Sequence, residues 1–306
     1  MRKLCVVLLL VCECSCQFLE PKQEFRFVYG FENELNVSKM ELSKTVEVIK
    51  KRLTYFGVEH TVNCFTKNEI EVNIRANDLN TKRIDQLISN KGKLEFWELY
   101  NRDSILPYFL GMDVKQEHGN TLGKIKSLVV SIDRLGRPTI SRFYKKDTSY
   151  VNYVLAKETS RHNLPIVYNK VKFLWGLRDK ENTVPLYAIK TKNLLKPPLN
   201  GRVINKVTYT KDSLGKPTIV LEMDKQGTLI WERMTTKAYQ NKTSIAITLN
   251  GVVYSTPQVT KGPVRKGKFS ISGGLNLDEA QNLAAILSSR TPIPQLKLLE
   301  QSIIKN

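Results

Sequence analysis

The sequence predicts an α+β fold in which a βαββαβ unit is followed by a second α+β unit. Short runs alternate apolar and polar residues as strands do, and the segments between them repeat apolar residues at the helical period. Over residues 25–100 the order strand, helix, strand, strand, helix, strand is that of the ferredoxin-like split βαβ arrangement. A length of 306 residues favours about two domains, and 41% hydrophobic residues can give each domain a core.

The βαββαβ unit, which we call the base, begins with a predicted strand at Phe25–Phe31 and a helix that ends at Gly57. In this helix the apolar residues Val46, Ile49 and Leu53 follow the helical period. Glycine is the residue preferred just past a helix C-terminus, which places the end of the helix at Gly57.

Two more strands, a second helix and a last strand complete the predicted base. The strands are Val58–Phe65 and Glu69–Ala76, and the latter alternates apolar with polar residues. The second helix has Asn80 or Thr81 near its N-cap, and the strand Lys93–Tyr100 closes the unit.

The rest of the chain is less regular up to a predicted strand pair at Val171–Leu177 and Val184–Thr191, which a turn or linker at Asn193–Arg202 follows. The second α+β unit, the head, then shows two strands, a helix, a hairpin, a strand and a helix. The hairpin turns at Asn250-Gly251, the type of pair that two-residue type I′ turns prefer.

Gly273 and Gly274 lie between a predicted strand and an apolar helix, where glycines can hold an anion at the helix N-terminus. The residues that follow argue against an anion. Asn276 is a good N-cap, Glu279 completes a capping-box pair, and the carboxylates of Asp278 and Glu279 in the first turn would repel phosphate. We therefore interpret Gly273, Gly274 and Asn276 as a structural strand-to-helix turn.

The N-terminus has the pattern of an export leader. Met1–Lys3 is basic, Leu4–Cys12 is apolar and too short to span a bilayer, and the following residues are polar. Cleavage before Gln17 predicts a periplasmic protein, and lipidation of Cys16 predicts one anchored on the envelope. A short cytoplasmic N-terminus is the third interpretation.

Four of the five cysteines lie in this leader, so we expect no disulfide framework in the rest of the chain. The remaining cysteine, Cys64, lies in a strand-like run, and we expect it to be a small core residue.

The formal net charge of +19 favours anionic partners such as lipid head groups or nucleic acid. The basic residues are spread along the chain, however, and the dense patch Lys261–Lys268 contains no aromatic residue for base stacking. Nucleic acid is therefore disfavoured as a partner.

No recognisable catalytic or metal-binding motif occurs in the sequence. The three histidines do not pair at metal-binding spacing, and no CxxC pair, HExxH or GxSxG motif is present. We expect a protein that is not an enzyme, with no cofactor and no metal.

The last third of the chain carries a series of motifs in a characteristic order. They are an Ile-Ala-Ile strand, an aromatic-Ser-x-Pro motif, an Ile-x-Gly strand end and a Glu-Ala-x-x-Leu-Ala helix, at Ile245–Ile247, Tyr254–Pro257, Ile271–Gly273 and Glu279–Ala284. Together they resemble the periplasmic head subdomain of the SecD/SecDF protein-export family. Gly215–Thr235 resembles the preceding strand-and-helix unit of the family, and Lys93–Tyr100 resembles the strand that closes its base.

This resemblance implies a base-plus-head periplasmic domain. The family has transmembrane helices on both sides of this domain, and no such helices are recognisable here, so we expect a free-standing copy that does not couple proton flow to export. The implied organisation is a leader, a base, a middle insertion, a head and a C-terminal return segment, at residues 1–16, 17–100, 101–196, 197–290 and 291–306.

The resemblance implies a non-catalytic envelope protein that is accessory to protein export. Its expected partners are translocating, unfolded polypeptide or subunits of the Sec translocon. A base and a head leave a cleft between them, and unfolded chain binds apolar grooves and exposed strand edges. The candidate polypeptide contacts on the head are Tyr254, Pro257 and Phe269, and the alternative is that these are core or turn residues.

Two other hypotheses remain open at this point. The chain would be a secreted or lipid-anchored structural module that binds an anionic membrane surface through its positive charge. Alternatively, it would be a degenerate copy with no transport role.

Overall fold

The computed structural model describes residues 22–32, 37–115, 121–134, 136–157, 164–165, 168, 170–191, 196–272 and 275–304. Within these ranges the chain forms six α-helices and sixteen strands, which make five sheets. All strand pairs of these sheets are antiparallel. The predicted α+β class is confirmed.

The base begins with five elements in the predicted order. They are β1 (Gln23–Phe31), α1 (Lys39–Phe56), β2 (Glu59–Cys64), β3 (Glu69–Ala76) and α2 (Thr81–Ser89). The apolar face of the sheet packs against the helices in one core, because alternate residues of β1 and β3 point to the same side.

The ends of the two base helices lie where the sequence predicts them. The Asn80 side chain accepts a hydrogen bond from the backbone N–H of Arg83 at the start of α2. At the end of α1, Gly57 adopts a positive φ of 85°, and its N–H bonds to the carbonyls of Leu53 and Thr54.

The fourth strand of the base sheet is the last strand of the chain, β16 (Leu296–Ile304). The sheet order is β16-β1-β3-β2, whereas β4 (Leu94–Glu98), which the sequence analysis placed last in the base, pairs in the head. The burial pattern explains the difference. Four consecutive residues of β4 are buried, so it needs cover on both faces, while β16 alternates enough polar residues to form an edge strand.

The head contains two sheets and two helices. One sheet has the order β10-β4-β13-β14, and the other has the order β11-β12-β15. The new elements are β10 (Leu199–Asn200), β11 (Ile204–Lys211), β12 (Pro217–Met223), α5 (Lys225–Gln240), β13 (Ile245–Leu249), β14 (Val252–Ser255), β15 (Lys268–Ser272) and α6 (Leu277–Ser288).

The predicted hairpin turn of the head is confirmed. Asn250 and Gly251 connect β13 to β14, with positive φ angles of 52° and 82°. The Asn250 side chain also accepts from the Lys93 N–H and donates to Asn90, which fixes the turn against the end of the base.

The middle unit lies between base and head in sequence. Its sheet has the order β7-β9-β8. The predicted pair of strands on either side of the polar loop at residues 176–182 is therefore confirmed. Its elements are α3 (Arg102–Leu110), β5 (Asp113–Lys115), β6 (Thr121–Lys124), β7 (Ser141–Tyr144), α4 (Thr148–Ala156), β8 (Val171–Trp175) and β9 (Thr183–Lys190).

The three units are joined by shared packing. A small apolar cluster that includes Trp97, Tyr187 and Val253 connects the head sheet to the middle sheet. Helix α6 contributes to two cores at once, because Ala285 and Ile286 pack in the base while other apolar residues of the helix pack in the head.

Cys64 is exposed, which contradicts the expectation of a core residue. It is the last residue of β2, an edge strand that pairs with β3 alone in the described sheet, so fewer neighbours cover it. Among the described helices, none is long and apolar enough to cross a membrane.

Candidate functional site: a cleft at the junction of base, middle unit and head

A cleft of about 1120 Å³, which we call the junction cleft, opens where the three units meet. Its walls come from α2, the β8–β9 hairpin, the β13–β14 hairpin and the first half of α6. Charged side chains of both signs line it: Lys82, Arg83, Lys91, Arg142, Arg178, Asp179, Asp278 and Glu279.

Arg83 joins the base to the head at this cleft. Its Nε donates to Asn282 at 2.8 Å, its Nη1 to Asp278 at 2.9 Å and its Nη2 to Gln281 at 2.8 Å. The guanidinium also lies 4.6 Å from the centre of the Phe56 ring. These contacts hold the first half of α6 against α2. The charge of Arg83 is balanced within the protein by the carboxylate of Asp278.

Asp179 organises the β8–β9 hairpin on the opposite wall. Its carboxylate accepts hydrogen bonds from the N–H and hydroxyl of Thr183, the N–H of Glu181 and Arg142. Burial acts to raise the pKa of Asp179, but these hydrogen bonds and the Arg142 charge outweigh it and hold the pKa below its ordinary value. Arg142 also contacts Asp133 at 3.4 Å, so two carboxylates balance its charge.

Apolar side chains lie beside these charges. Leu177 is 39% exposed on the β8–β9 hairpin, and Leu275 and Tyr254 are half-buried on the head side. Burial, together with the nearby charge of Glu279, raises the pKa of Tyr254, so its hydroxyl stays neutral at physiological pH. The cleft therefore offers both apolar contact and hydrogen bonds.

A second pocket of about 450 Å³, the side pocket, shares Arg142 and Tyr187 with the junction cleft. Its other residues come from the loop before β7 and from the head: Asp133, Arg134, Arg137, Pro138, Thr139 and Thr256.

The residues singled out from the sequence are distributed over several environments. Tyr254 lines the junction cleft. Phe269 is half-buried and packs against the head core, with its ring centre 5.4 Å from that of Phe96 and 5.1 Å from that of Trp231. Pro257 is half-buried, and its carbonyl accepts from the Ile245 N–H at 3.4 Å.

Asn276 caps α6 as the sequence predicts. Its side chain accepts from the Glu279 N–H, and the Glu279 carboxylate accepts from the Asn276 N–H, both at 2.9 Å. Asn276 also lines the junction cleft. Gly273, Gly274 and Cys16 lie outside the described residues.

The contribution of the middle unit to the cleft was not predicted from the sequence. The residues concerned lie outside the motifs that were interpreted as functional: Arg134, Arg137, Arg142 and Asp179. The only signal was local, a concentration of arginines between residues 134 and 142, and it did not show which wall they would face.

Residues 177–290, which include the head and the β9 strand of the middle unit, are similar to a known subdomain. A family model described as the SecDF P1 head subdomain matches residues 177–290. The protein translocase subunit SecD of Rhodothermus marinus is 29% identical over 158 residues, which cover 52% of this chain and 25% of that protein. SecD of Dictyoglomus turgidum is 33% identical over 107 residues, 35% of this chain and 26% of that protein. The chain thus spans about a quarter of the length of these relatives.

Two solved structures share the fold. A crystal structure of SecDF in a super-membrane-facing form aligns over 93% of this chain and 31% of its own, with a TM-score of 0.56 and 19% identity. A structure of the membrane component SecDF that enhances protein export aligns over 90% of this chain and 98% of its own, with a TM-score of 0.52 and 20% identity. The chain is therefore similar to SecD proteins and shares its fold with SecDF, and residues 177–290 match the model of the SecDF P1 head subdomain.

Proposed function

We propose that this chain is a non-catalytic accessory of protein export that works outside the cytoplasmic membrane and contacts translocating polypeptide or a translocon subunit. The junction cleft is the observation that carries the proposal, because the matched head segment supplies much of its lining. The export role is supported by the SecD relatives and by the described role of the SecDF structure that shares this fold.

The lining of the cleft suits an extended polypeptide. Such a chain presents apolar side chains, charged side chains and backbone amides within a few residues of one another. The cleft offers apolar groups such as Leu177 and Leu275 beside amides such as Asn80 and Gln86. Its volume of about 1120 Å³ lies above the range of roughly 300–1,000 Å³ typical of small-molecule pockets.

Substitution of Leu177 tests this proposal. Leu177→Asp replaces apolar contact surface in the cleft with a charge, so we expect affinity for a permanently unfolded polypeptide to fall several-fold. Fluorescence anisotropy of the labelled polypeptide with the purified chain measures this effect.

Leu229→Asp is the matched control, because Leu229 is 56% exposed on α5 and does not line the cleft. It should bind as the unsubstituted chain does. An equal loss of affinity in both variants, or no binding by the unsubstituted chain, would contradict the proposal.

A further inference from the structure

The side pocket carries positive charge that the protein itself does not neutralise. Arg134 and Arg137 are exposed there, and no salt bridge among the described residues involves either of them. Asp133 is the only carboxylate among the described lining residues, and it is paired with Arg142. Two guanidinium groups are therefore available to an anionic ligand.

The backbone near these arginines is held at two points. Arg102 Nη2 donates to the Arg134 carbonyl at 3.1 Å, and the Gln258 side chain of the head donates to the Gly136 carbonyl. An anchored loop loses less conformational entropy when a ligand binds. The guanidinium groups are thus presented from a positioned backbone.

Tyr187 lies between the side pocket and the junction cleft, and its hydroxyl is uncharged. Burial raises the pKa of this tyrosine, although hydrogen bonds with the hydroxyls of Thr139 and Thr256 oppose the shift. The side pocket therefore combines guanidinium donors with hydroxyl groups.

Guanidinium groups bind carboxylates and phosphates through paired, charge-assisted hydrogen bonds. The surroundings favour carboxylates on a peptide over nucleic acid. The aromatic residues that line the two pockets are Tyr187, which is only 9% exposed, and the half-buried Tyr254, so neither offers a free face for base stacking. The adjoining cleft supplies apolar contacts such as Leu177, which nucleic acid would not use.

We infer that the side pocket selects acidic segments of a polypeptide bound in the junction cleft, with Arg134 and Arg137 binding their carboxylates. This inference rests on the proposed function and adds a substrate class to it. Arg142 and Tyr187 belong to both pockets, so a chain in the cleft passes beside the two arginines.

Three labelled peptides test the inference. They share one length and one apolar pattern, and their charged positions are all Glu, all Gln or all Lys. We expect the Glu peptide to bind the purified chain about tenfold more tightly than the Gln peptide, because charge-assisted hydrogen bonds add to the apolar contacts. Higher ionic strength should reduce this difference.

The double variant Arg134→Gln/Arg137→Gln should bind the Glu and Gln peptides equally. The control Arg202→Gln/Arg233→Gln makes the same change in net charge at exposed residues outside both pockets, and it should keep the preference for Glu. Thermal unfolding of both variants checks that they are folded.

The outcomes separate this inference from the proposed function. Equal binding of the Glu and Gln peptides, or a Glu preference that survives in the Arg134/Arg137 variant, overturns the inference and leaves the proposed function in place. No binding of any peptide overturns both. Binding to phosphatidylglycerol vesicles that depends on Arg134 and Arg137, without a Glu preference among peptides, overturns the inference in favour of a lipid surface.

Discussion

Arg52 shows how one buried cation ties elements together. It extends from α1 and is fully buried, yet no carboxylate among the described residues pairs with it. Its guanidinium donates instead to the carbonyls of Leu87, Ile88 and Asn90 at the end of α2 and to the Ser289 hydroxyl. The C-terminal end of a helix dipole stabilises a cation, whereas burial lowers the pKa of Arg52 to about 9.

The space beside Arg52 also requires a glycine. A Cβ atom at Gly92 would lie 2.5 Å from Arg52 Nη2, and Gly92 has a φ of +71°. The path of the segment around Gly92, which connects α2 of the base to β4 of the head, thus depends on both Gly92 and Arg52.

Arg52→Met tests this role at the residue scale. The substitution keeps much of the apolar stem but leaves buried carbonyls without donors, so we expect the free energy of unfolding to fall by about 3 kcal/mol. Urea denaturation followed by circular dichroism measures it. Lys51→Met, at the exposed neighbouring residue, should change stability by less than about 0.5 kcal/mol. Equal stability of the Arg52 variant and the unsubstituted chain would show that these hydrogen bonds contribute nothing net.

At the scale of elements, α6 connects the base and head cores. Its capping box fixes the N-terminus beside the junction cleft, and its C-terminal residues pack in both cores. Since Arg83 bonds to the same first turns of α6, the cap and the arginine stabilise one end of the helix together.

Asn276→Ala removes the side-chain acceptor of this capping box. We expect a loss of about 1 kcal/mol in the free energy of unfolding, because the backbone N–H of Glu279 loses its partner. Asn63→Ala, at an exposed residue inside strand β2 and away from any helix end, serves as the control and should have little effect. A change of similar size in both variants would argue against a stabilising cap.

Local signals in the sequence predicted many of these elements. Gly57, Asn80, the Asn250-Gly251 turn and the Asn276 cap each depend on a residue type at a fixed position, and all are confirmed. Which sheet β4 joins, and which sheet β16 joins, could not be predicted in this way. It depends on which strand is covered on both faces, and that follows from packing between units far apart in the sequence.

At the scale of the whole molecule, one wall of the candidate site could be predicted from the sequence and the other could not. The resemblance to SecD directed attention to the head, and Tyr254 does line the junction cleft. The opposite wall was not predicted, because it forms only when the middle unit packs against the head, through the apolar cluster that includes Trp97, Tyr187 and Val253 and through contacts such as that of Gln258 with Gly136. Phe269, which was also expected to contact polypeptide, is half-buried with its ring against Trp231 of the head core, so contact with polypeptide there stays a prediction.

The base and head share many contacts in this arrangement. Arg52 and Arg83 reach α6, Asn250 reaches Asn90, and the Tyr55 hydroxyl donates to the Val207 carbonyl of β11 at 3.3 Å. Two of these contacts, Arg83 to Asn282 and Asn250 to Asn90, join residues that line the junction cleft, so they hold its base and head walls together.

Site-specific photo-crosslinking in cells tests the central claim most directly. A photo-reactive residue at Tyr254 lies in the junction cleft, and the same residue at Tyr239, which is 47% exposed on α5, serves as the control. The account predicts crosslinks from position 254 to precursor proteins in transit or to translocon subunits, lost when export is blocked and absent from position 239. Equal crosslinking from both positions, or no crosslink from position 254 during active export, would contradict it.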